Sequence, residues 1–221
     1  MTTILQVEAS ARVERSLSRA LAHTFRAAWH EREPTARFIQ RDVGRQPPPF
    51  VMASWIEAAF TDASERSAEQ SAALAASDAL IDELEQADIV VIATPMYNYG
   101  MPATLKAWFD QVIRVNKTFT FDLARGDFPL EPRLHGKTLV GLCAHGEFGF
   151  GAGGTRSKMN HLQPHLATCA HYLGATRHHF VSVEYQEFGD ERHQRSIKSA
   201  HEQVRQLVAQ LTDAHHAAAT T

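Results

Sequence analysis

The sequence lacks the features that mark membrane-spanning or disulfide-stabilised proteins. Its two cysteines, Cys143 and Cys169, both lie in apolar patterns, which favours reduced thiols in a cytoplasmic protein over a disulfide framework. No apolar run approaches the roughly 20 residues that a membrane span needs. The opening segment, MTTILQVEAS, contains Glu8 but no basic residue, so we expect no secretory signal there.

An excess of either charge is also absent. The 221 residues include 22 Lys and Arg against 25 Asp and Glu, which gives a formal net charge of −3. Nonspecific nucleic-acid binding needs a basic surface, so this near balance argues against it. A chain of this length can bury about 70% of its extended surface in one core. Neither a metal nor a disulfide is therefore needed to stabilise the fold.

What is present is a regular alternation of short apolar runs with amphipathic helical patterns. Five runs predict strands, and Asp88–Thr94 is the clearest because it is apolar at almost every position, as in a parallel strand covered on both faces. The other four are Thr3–Glu8, Arg37–Val43, Lys137–Ala144 and Thr176–Val183. This alternation predicts an α/β fold, a doubly wound five-stranded parallel sheet of flavodoxin-like order 2-1-3-4-5 with helices on both faces. We expect a single domain over residues 1–212 and a disordered tail over residues 213–221.

In such a sheet, ligands bind at the carboxyl ends of the strands, where the winding reverses. This rule points to the loops after the first, third and fourth strands. The first loop carries Ser10, Ser16 and Ser18 just before a predicted helix, so hydroxyls and free helix N–H groups could bind a phosphate there. The loop matches neither GxGxxG nor the P-loop, which leaves a mononucleotide phosphate site or an ordinary helix cap as interpretations.

The loop after the third strand, Pro95–Tyr99, reads PMYNY. Its methionine, two aromatic rings and amide suit a planar heteroaromatic ligand. The alternative is that Tyr97 and Tyr99 only cover the edge of the sheet.

The loop after the fourth strand is rich in glycine and begins with the residues Ala144, His145, Gly146 and Glu147. Glycine lets backbone N–H groups approach a ligand, and His145 could donate a hydrogen bond to a carbonyl or an anionic ring edge. A mobile surface loop is the alternative. His161 and His165 have the spacing of metal ligands on a helix, but no nearby acid completes a site, so we expect no metal.

Four short segments together resemble the FMN-dependent NADH-azoreductase family, flavodoxin-like proteins that reduce quinones and azo dyes. They are Pro95–Tyr99, Thr104–Lys106 (TLK), Phe109–Asp110 and Thr118–Phe119. The resemblance covers nearly the whole chain, and the serine loop falls at the matching place. It implies non-covalently bound FMN, NADH or NADPH as co-substrate, and two-electron ping-pong transfer to quinones and azo compounds. It also implies a homodimer in which each chain completes its partner's site.

Two residues are candidates for catalytic roles in this mechanism. Asn98 would orient the flavin, and His145 would stabilise negative charge on the reduced ring. The cofactor-binding residues that the resemblance implies are Ser10, Ser16, Leu17, Ser18, Pro95, Met96, Tyr97, Asn98, Tyr99, Ala144, His145, Gly146 and Glu147.

The sequence departs from the family at Glu147, where a second glycine is common, and at Phe121, where tyrosine is common. We expect Glu147 to point away from the flavin or to shape the mouth of the substrate site. The candidate aromatic walls of that site are Phe119, Phe121, Phe148, Phe150 and, from the partner, Trp55 or Phe60. Three other functions stay open: a flavodoxin-type electron carrier, an NAD(P)H:flavin reductase, and a regulatory protein without cofactor.

Overall fold

The computed structural model describes residues 1–219. In chain order its elements are β1 (Thr3–Glu8), α1 (Leu17–Arg32), β2 (Arg37–Asp42), α2 (Ala53–Phe60), α3 (Ala68–Glu85), β3 (Ile89–Pro95), α4 (Ala103–Val112), β4 (Phe119–Phe121), β5 (Leu130–Pro132), β6 (Lys137–Ala144), α5 (Gln163–Tyr172), β7 (Ala175–Val183) and α6 (Glu191–Ala219). Five strands form one parallel sheet in the order β2-β1-β3-β6-β7. Counted over these five strands the order is 2-1-3-4-5, so the predicted flavodoxin-like topology is confirmed.

Apolar side chains cover the sheet on both faces. In β3, Ile89 and Val91 pack into the layer formed with α1 and α6. Val90 and Ile92 pack into the opposite layer, formed with α3, α4 and α5. Because alternate residues of a strand point to opposite faces, a strand with two covered faces has to be apolar throughout. That requirement produces the continuous apolar run from which β3 was predicted.

The carboxyl ends of the central strands lie side by side at one edge of the sheet. The Ala9 N–H donates to the Ala93 carbonyl at 2.9 Å, which holds the loop after β1 beside the end of β3. The Met96 N–H donates to the Ala144 carbonyl at 2.8 Å, which joins the loop after β3 to β6. Three loops that are far apart in sequence therefore start within one hydrogen-bonded row.

Two small elements lie outside the sheet. Helix α2 packs through Trp55, Ala58 and Ala59 against Leu74 of α3. Strands β4 and β5 form the antiparallel hairpin that the alternating segment at residues 118–121 predicts. None of the helices described by the structure combines the length and apolar character needed to cross a membrane.

The expected disordered tail is wrong for most of its length, because α6 continues to Ala219. Asp213 forms an ion pair with Arg32 of α1, and the rings of His215 and Trp29 lie 6.2 Å apart. Residues 213–219 contain four alanines and no helix breaker, so local propensity and contacts with α1 both favour the helix. Residues 220 and 221 lie outside the described residues.

Candidate functional site

The loops after β1, β3 and β6 meet in a cleft at the carboxyl edge of the sheet. This first cleft has a volume of about 420 Å³. Its lining comprises Ser10, Arg12, Arg15, Ser16, Leu17, Ser18, Pro95, Met96, Tyr97, Ala144, Gly146, Gln186 and Glu187.

A second cleft of about 380 Å³ adjoins the first, since Met96, Gly146 and Glu187 line both. The rest of its lining comprises Asn98, Tyr99, Glu147 and Phe150. Of the residues predicted to bind a cofactor, all except His145 line one cleft or the other. The fold therefore brings together the three loops that the sequence singles out.

Three buried hydroxyls lie at the start of α1. Ser16 is the N-cap: its Oγ accepts a hydrogen bond from the Arg19 N–H at 3.4 Å and lies 3.3 Å from the Oγ of Ser18. Ser10 lies on the other side of the loop and is buried as well. The first turn of a helix leaves N–H groups without intrahelical partners and carries partial positive charge. This end of the first cleft can therefore bind an anion, even though Ser16 also acts as an ordinary cap.

Two arginines that the sequence analysis did not single out add positive charge at the same end. Arg12 and Arg15 both line the first cleft, and Arg15 holds a positive φ of 60°. The available signal was their position in the sequence, since both lie between Ser10 and Ser16. Their position strengthens the prediction of an anionic ligand group here.

Arg19 of α1 fixes the shape of this loop from behind. Its guanidinium forms ion pairs with Glu8 and Asp42, at the ends of β1 and β2. It also donates hydrogen bonds to the carbonyls of Ser10 at 2.8 Å and Arg12 at 3.0 Å. The hydrogen bonds with Asp42, opposed by burial and helped by the charge of Glu8, raise the pKa of Arg19 above its ordinary value. One permanently charged side chain thus ties two strands to the loop that lines the cleft.

The loop after β3 contains a tight turn closed by two backbone hydrogen bonds. The Tyr97 N–H donates to the Gly100 carbonyl at 2.9 Å, and the Gly100 N–H donates to the Tyr97 carbonyl at 3.0 Å. Asn98 and Tyr99, at the centre, have φ values of 48° and 67°. Positive φ at both positions is the requirement of a type I′ turn, which usually places glycine second. A tyrosine in this conformation is strained, and such strain clusters at functional sites.

His145 is the predicted site residue that does not line either cleft. Its ring is buried and packs edge-on against Phe150, with 5.0 Å between ring centroids. Its Nδ1 lies 3.9 Å from Glu184 Oε1, and both ring nitrogens lack a hydrogen-bond partner among the described residues. The imidazole therefore lies outside the lining of both clefts, and its hydrogen bond to a ligand stays a prediction.

Glu184 connects this histidine to the loop after β6. Its Oε1 accepts hydrogen bonds from the backbone N–H groups of Gly149 at 3.0 Å and Phe150 at 3.4 Å. The pKa of Glu184 is lowered, mainly by the adjacent His145 ring and to a smaller extent by these N–H groups, whereas burial acts in the opposite direction. The carboxylate thereby anchors the turn that carries Phe150 into the second cleft.

Glu147 lies at the rim of the second cleft with two partners. Arg156 Nε is 3.0 Å from Glu147 Oε1, and the Tyr99 hydroxyl donates to Glu147 Oε2 at 3.3 Å. Whether Glu147 points away from a flavin or shapes the mouth of the site stays a prediction. The Arg156 charge also offsets the repulsion that an unpaired carboxylate would exert on an anionic ligand.

The loop after β7 supplies two lining residues, Gln186 and Glu187, that sequence reasoning missed. The Glu187 N–H donates to the Gly146 carbonyl at 3.0 Å, so the loops after β6 and β7 run side by side. A Cβ added to Gly146 would lie 2.5 Å from Glu187 Oε1, so the glycine leaves room for this carboxylate. The available signal was that β7 ends at the same edge as β6 and is followed by polar residues.

Nucleophilic cysteine and metal chemistry find little support in the described residues. Burial raises the pKa of the Cys143 thiol to about 12 and that of Cys169 to about 11, so neither forms a thiolate readily. His161 precedes α5 and does not share that helix with His165. Within residues 1–219, no cluster of three or more His, Cys, Asp or Glu side chains could hold a metal ion.

Comparison with known proteins agrees with this geometry. A family model described as a flavodoxin-like fold matches residues 2–208. The FMN-dependent NADH:quinone oxidoreductase 2 of Colwellia psychrerythraea is 50% identical over 218 residues, which covers 96% of this chain and all of that protein. The FMN-dependent NAD(P)H:quinone oxidoreductase 1 of Pseudomonas aeruginosa is 42% identical over 205 residues, covering 92% of this chain and 97% of that protein.

Solved structures show the same architecture. An azoreductase from Bacillus anthracis superimposes with a TM-score of 0.83 at 23% identity, covering 94% of this chain and 99% of its own. At that identity the likeness concerns the fold, whereas the sequence relatives and the family model establish kinship. The resemblance drawn from the four sequence segments is confirmed, and the chain belongs to the flavodoxin-like family of FMN-dependent NADH:quinone oxidoreductases.

Proposed function

We propose that this protein is an FMN-dependent NAD(P)H:quinone oxidoreductase that also reduces azo compounds. The observation that carries the proposal is the meeting of three ligand-binding features in two adjoining clefts. The serine loop at the start of α1, the strained Asn98–Tyr99 turn and Gly146 all lie at the carboxyl edge of a flavodoxin-like sheet. A relative that is 50% identical is named as an FMN-dependent NADH:quinone oxidoreductase, which supports the quinone part of the proposal.

The residues of the two clefts fit FMN. Buried Ser10, Ser16 and Ser18 hydroxyls and the free N–H groups of α1 suit a phosphate monoester, and the nearby arginines favour its charge. Gly146 lines both clefts with its backbone, which joins the phosphate end to the ring end. Tyr97 provides an aromatic surface in the same cleft.

The chemistry that bound FMN supplies is two-electron transfer from a reduced nicotinamide to a quinone or azo acceptor, in ping-pong order. The chain's own residues bind and orient the reactants. Asn98 presents an amide, fixed by its turn, that can both donate and accept hydrogen bonds. Phe150 and Tyr99, whose ring centroids lie 6.3 Å apart, form an apolar side of the second cleft, where a planar acceptor can stack. His145 acts here as a positioning residue whose ring packs edge-on against Phe150.

We also infer that the protein is a homodimer. Met52, Ile56 and Phe60 recur every four residues along α2 and are all exposed, so they form one apolar stripe on the side of the helix that faces away from the core. Phe121 and Phe128 of the β4–β5 hairpin are exposed as well. Exposed large apolar side chains of this kind mark an interaction site, and a second copy of the chain is the partner that the family resemblance implies.

The remaining expectations concern domain and compartment. The sheet takes its strands from residues 3 to 183, and α6 packs on α1, which supports the proposed single FMN-binding domain over residues 1–212. Both cysteines are free and buried, as suits a reducing compartment, and we propose a cytoplasmic location.

A flavin spectrum followed by anaerobic titration tests the proposal. The purified protein is expected to be yellow and to bleach on addition of NADH or NADPH, then to regain its colour with a quinone or an azo dye. A one-electron carrier would not be bleached directly by either nicotinamide, and a flavin reductase would release its flavin during turnover. Failure to bind added FMN would overturn the proposal.

A further inference from the structure

The Glu187 carboxylate lies at the boundary of the two clefts without a partner. Its Oε1 is close above Gly146, and the residue lines both clefts. Among residues 1–219, no hydrogen bond or ion pair reaches this carboxylate. Its backbone is fixed by the hydrogen bond to the Gly146 carbonyl, and its side chain is exposed to solvent at the mouth of both clefts.

The charges of the two clefts differ in sign. Arg12 and Arg15 line only the first cleft, at its serine end. The lining of the second cleft contains Glu147 and Glu187 but no basic residue. Arg156 already pairs with Glu147 from outside that lining, so Glu187 is left as the uncompensated charge of the second cleft.

We propose that Glu187 selects acceptors by charge, so that the second cleft takes neutral or cationic quinones and azo compounds in preference to sulfonated ones. The inference rests on the proposed function, because it assumes that the acceptor enters the second cleft. A sulfonate brought within a few ångströms of an unpaired carboxylate is repelled even when both charges are exposed to water. Salt weakens such repulsion at an exposed site, since the screening length shortens with ionic strength.

The test compares Glu187→Gln with the wild-type holoenzyme on 1,4-naphthoquinone and its 2-sulfonate. The quantity is the ratio of kcat/KM for the sulfonate to kcat/KM for the neutral quinone, which in a ping-pong reaction does not depend on the anionic nicotinamide donor. Removing the charge is expected to raise this ratio by about five- to tenfold at low salt and by less at high salt. Glu31→Gln is the matched control, because Glu31 is an exposed carboxylate near the far end of α1, at the opposite edge of the sheet.

Calorimetric titration of the sulfonate into the oxidised holoenzyme, with no donor present, gives a second readout without turnover. Glu187→Gln is expected to bind the sulfonate more tightly than the wild type by a similar factor, and Glu31→Gln is not. If the wild type and Glu187→Gln both reduce the quinones, and Glu187→Gln gives the same ratio as the wild type and Glu31→Gln, the inference is overturned and the proposed function stands. If the wild type neither retains FMN nor oxidises NAD(P)H, both are overturned.

Discussion

Two neighbouring residues in the turn after β3 hold backbone angles that side chains usually avoid. Asparagine tolerates the left-handed region because its short amide can bond locally, whereas tyrosine pays a steric penalty of about 1 kcal/mol there. Asn98 and Tyr99 both line the second cleft, so the strained turn presents both side chains at the site. The turn residues are thus explained by what they offer a ligand rather than by turn preference alone.

The substitution Asn98→Gly separates the contribution of the Asn98 amide to ligand binding from the contribution of the residue to the turn. Glycine adopts positive φ freely, so the turn should persist while the amide is lost. We expect the Kd for FMN to rise about three- to tenfold, the effect of one or so net hydrogen bond, with the free energy of unfolding of the FMN-free protein nearly unchanged. Flavin fluorescence during equilibrium dialysis measures the first, and urea titration the second.

The matched control is Asn116→Gly. Asn116 also has a positive φ, 63°, but it lines neither cleft. If both variants bind FMN like the wild type, the orienting role of Asn98 is wrong.

At the scale of elements, Arg19 joins β1, β2 and the loop that begins α1. Glu8 is nearly buried, and an ion pair that is shielded from water becomes destabilising when one partner is removed. We expect Arg19→Gln to lower the free energy of unfolding by about 3 kcal/mol and to weaken FMN binding, because the carbonyls of Ser10 and Arg12 lose their donor. Urea titration and FMN dialysis measure the two effects.

Arg41→Gln provides the comparison for that variant. Arg41 pairs with Glu83 on the more exposed flank of the sheet and contacts neither cleft-lining loop. Its loss is expected to lower stability by at most about 1 kcal/mol and to leave FMN binding unchanged. Equal effects of the two substitutions on FMN binding would contradict the role given to Arg19.

The loop after β6 depends on the Glu184 carboxylate, which makes its stability sensitive to acid. The pKa of Glu184 is lowered in the folded protein from an ordinary value of 4.5. The stabilisation is therefore complete above about pH 4.5 and is lost as the pH falls through the folded pKa. The stability difference between the wild type and Glu184→Gln should be largest at neutral pH and shrink below about pH 4.5. Urea titrations at pH 7, 5 and 4 measure it; a difference that grew on acidification would refute the assignment.

Particular elements show how far the sequence could predict this structure. Strand β3 and the site loops were predictable because hydrophobic periodicity fixes strands and the parallel sheet fixes where they end. The apolar pattern of residues 159–173 predicts a helix from Met159, whereas α5 begins at Gln163, after a turn in which the Asn160 side chain accepts the N–H groups of Leu162 and Gln163. The orientation of His145 was not predictable, because it depends on the tertiary contact with Phe150 and Glu184 and leaves no local signal.

At the scale of the whole molecule, the exposed apolar stripe on α2 is a feature that packing within a single chain does not account for. The buried side of α2 already satisfies the amphipathic requirement through Trp55, Ala58 and Ala59. Phe60 is nevertheless 73% exposed and Met52 64% exposed. Large apolar side chains aligned in this way are favourable only if another surface covers them, which is the physical basis of the proposed homodimer.

Ile56→Asp, at the centre of that stripe, tests the assembly. In a two-fold interface each substitution is felt twice, and each buried isoleucine contributes about 1.5–3 kcal/mol, so the dimer Kd is expected to rise by a hundredfold or more. Light scattering after size exclusion should find twice the chain mass for the wild type and a single chain mass for the variant at low micromolar concentration. Ser54→Asp adds the same charge to α2 outside the stripe and should remain dimeric. Because the partner is proposed to complete each site, the rate of quinone reduction should fall as the dimer dissociates. A fully active Ile56→Asp monomer would show that the partner chain is not needed for catalysis.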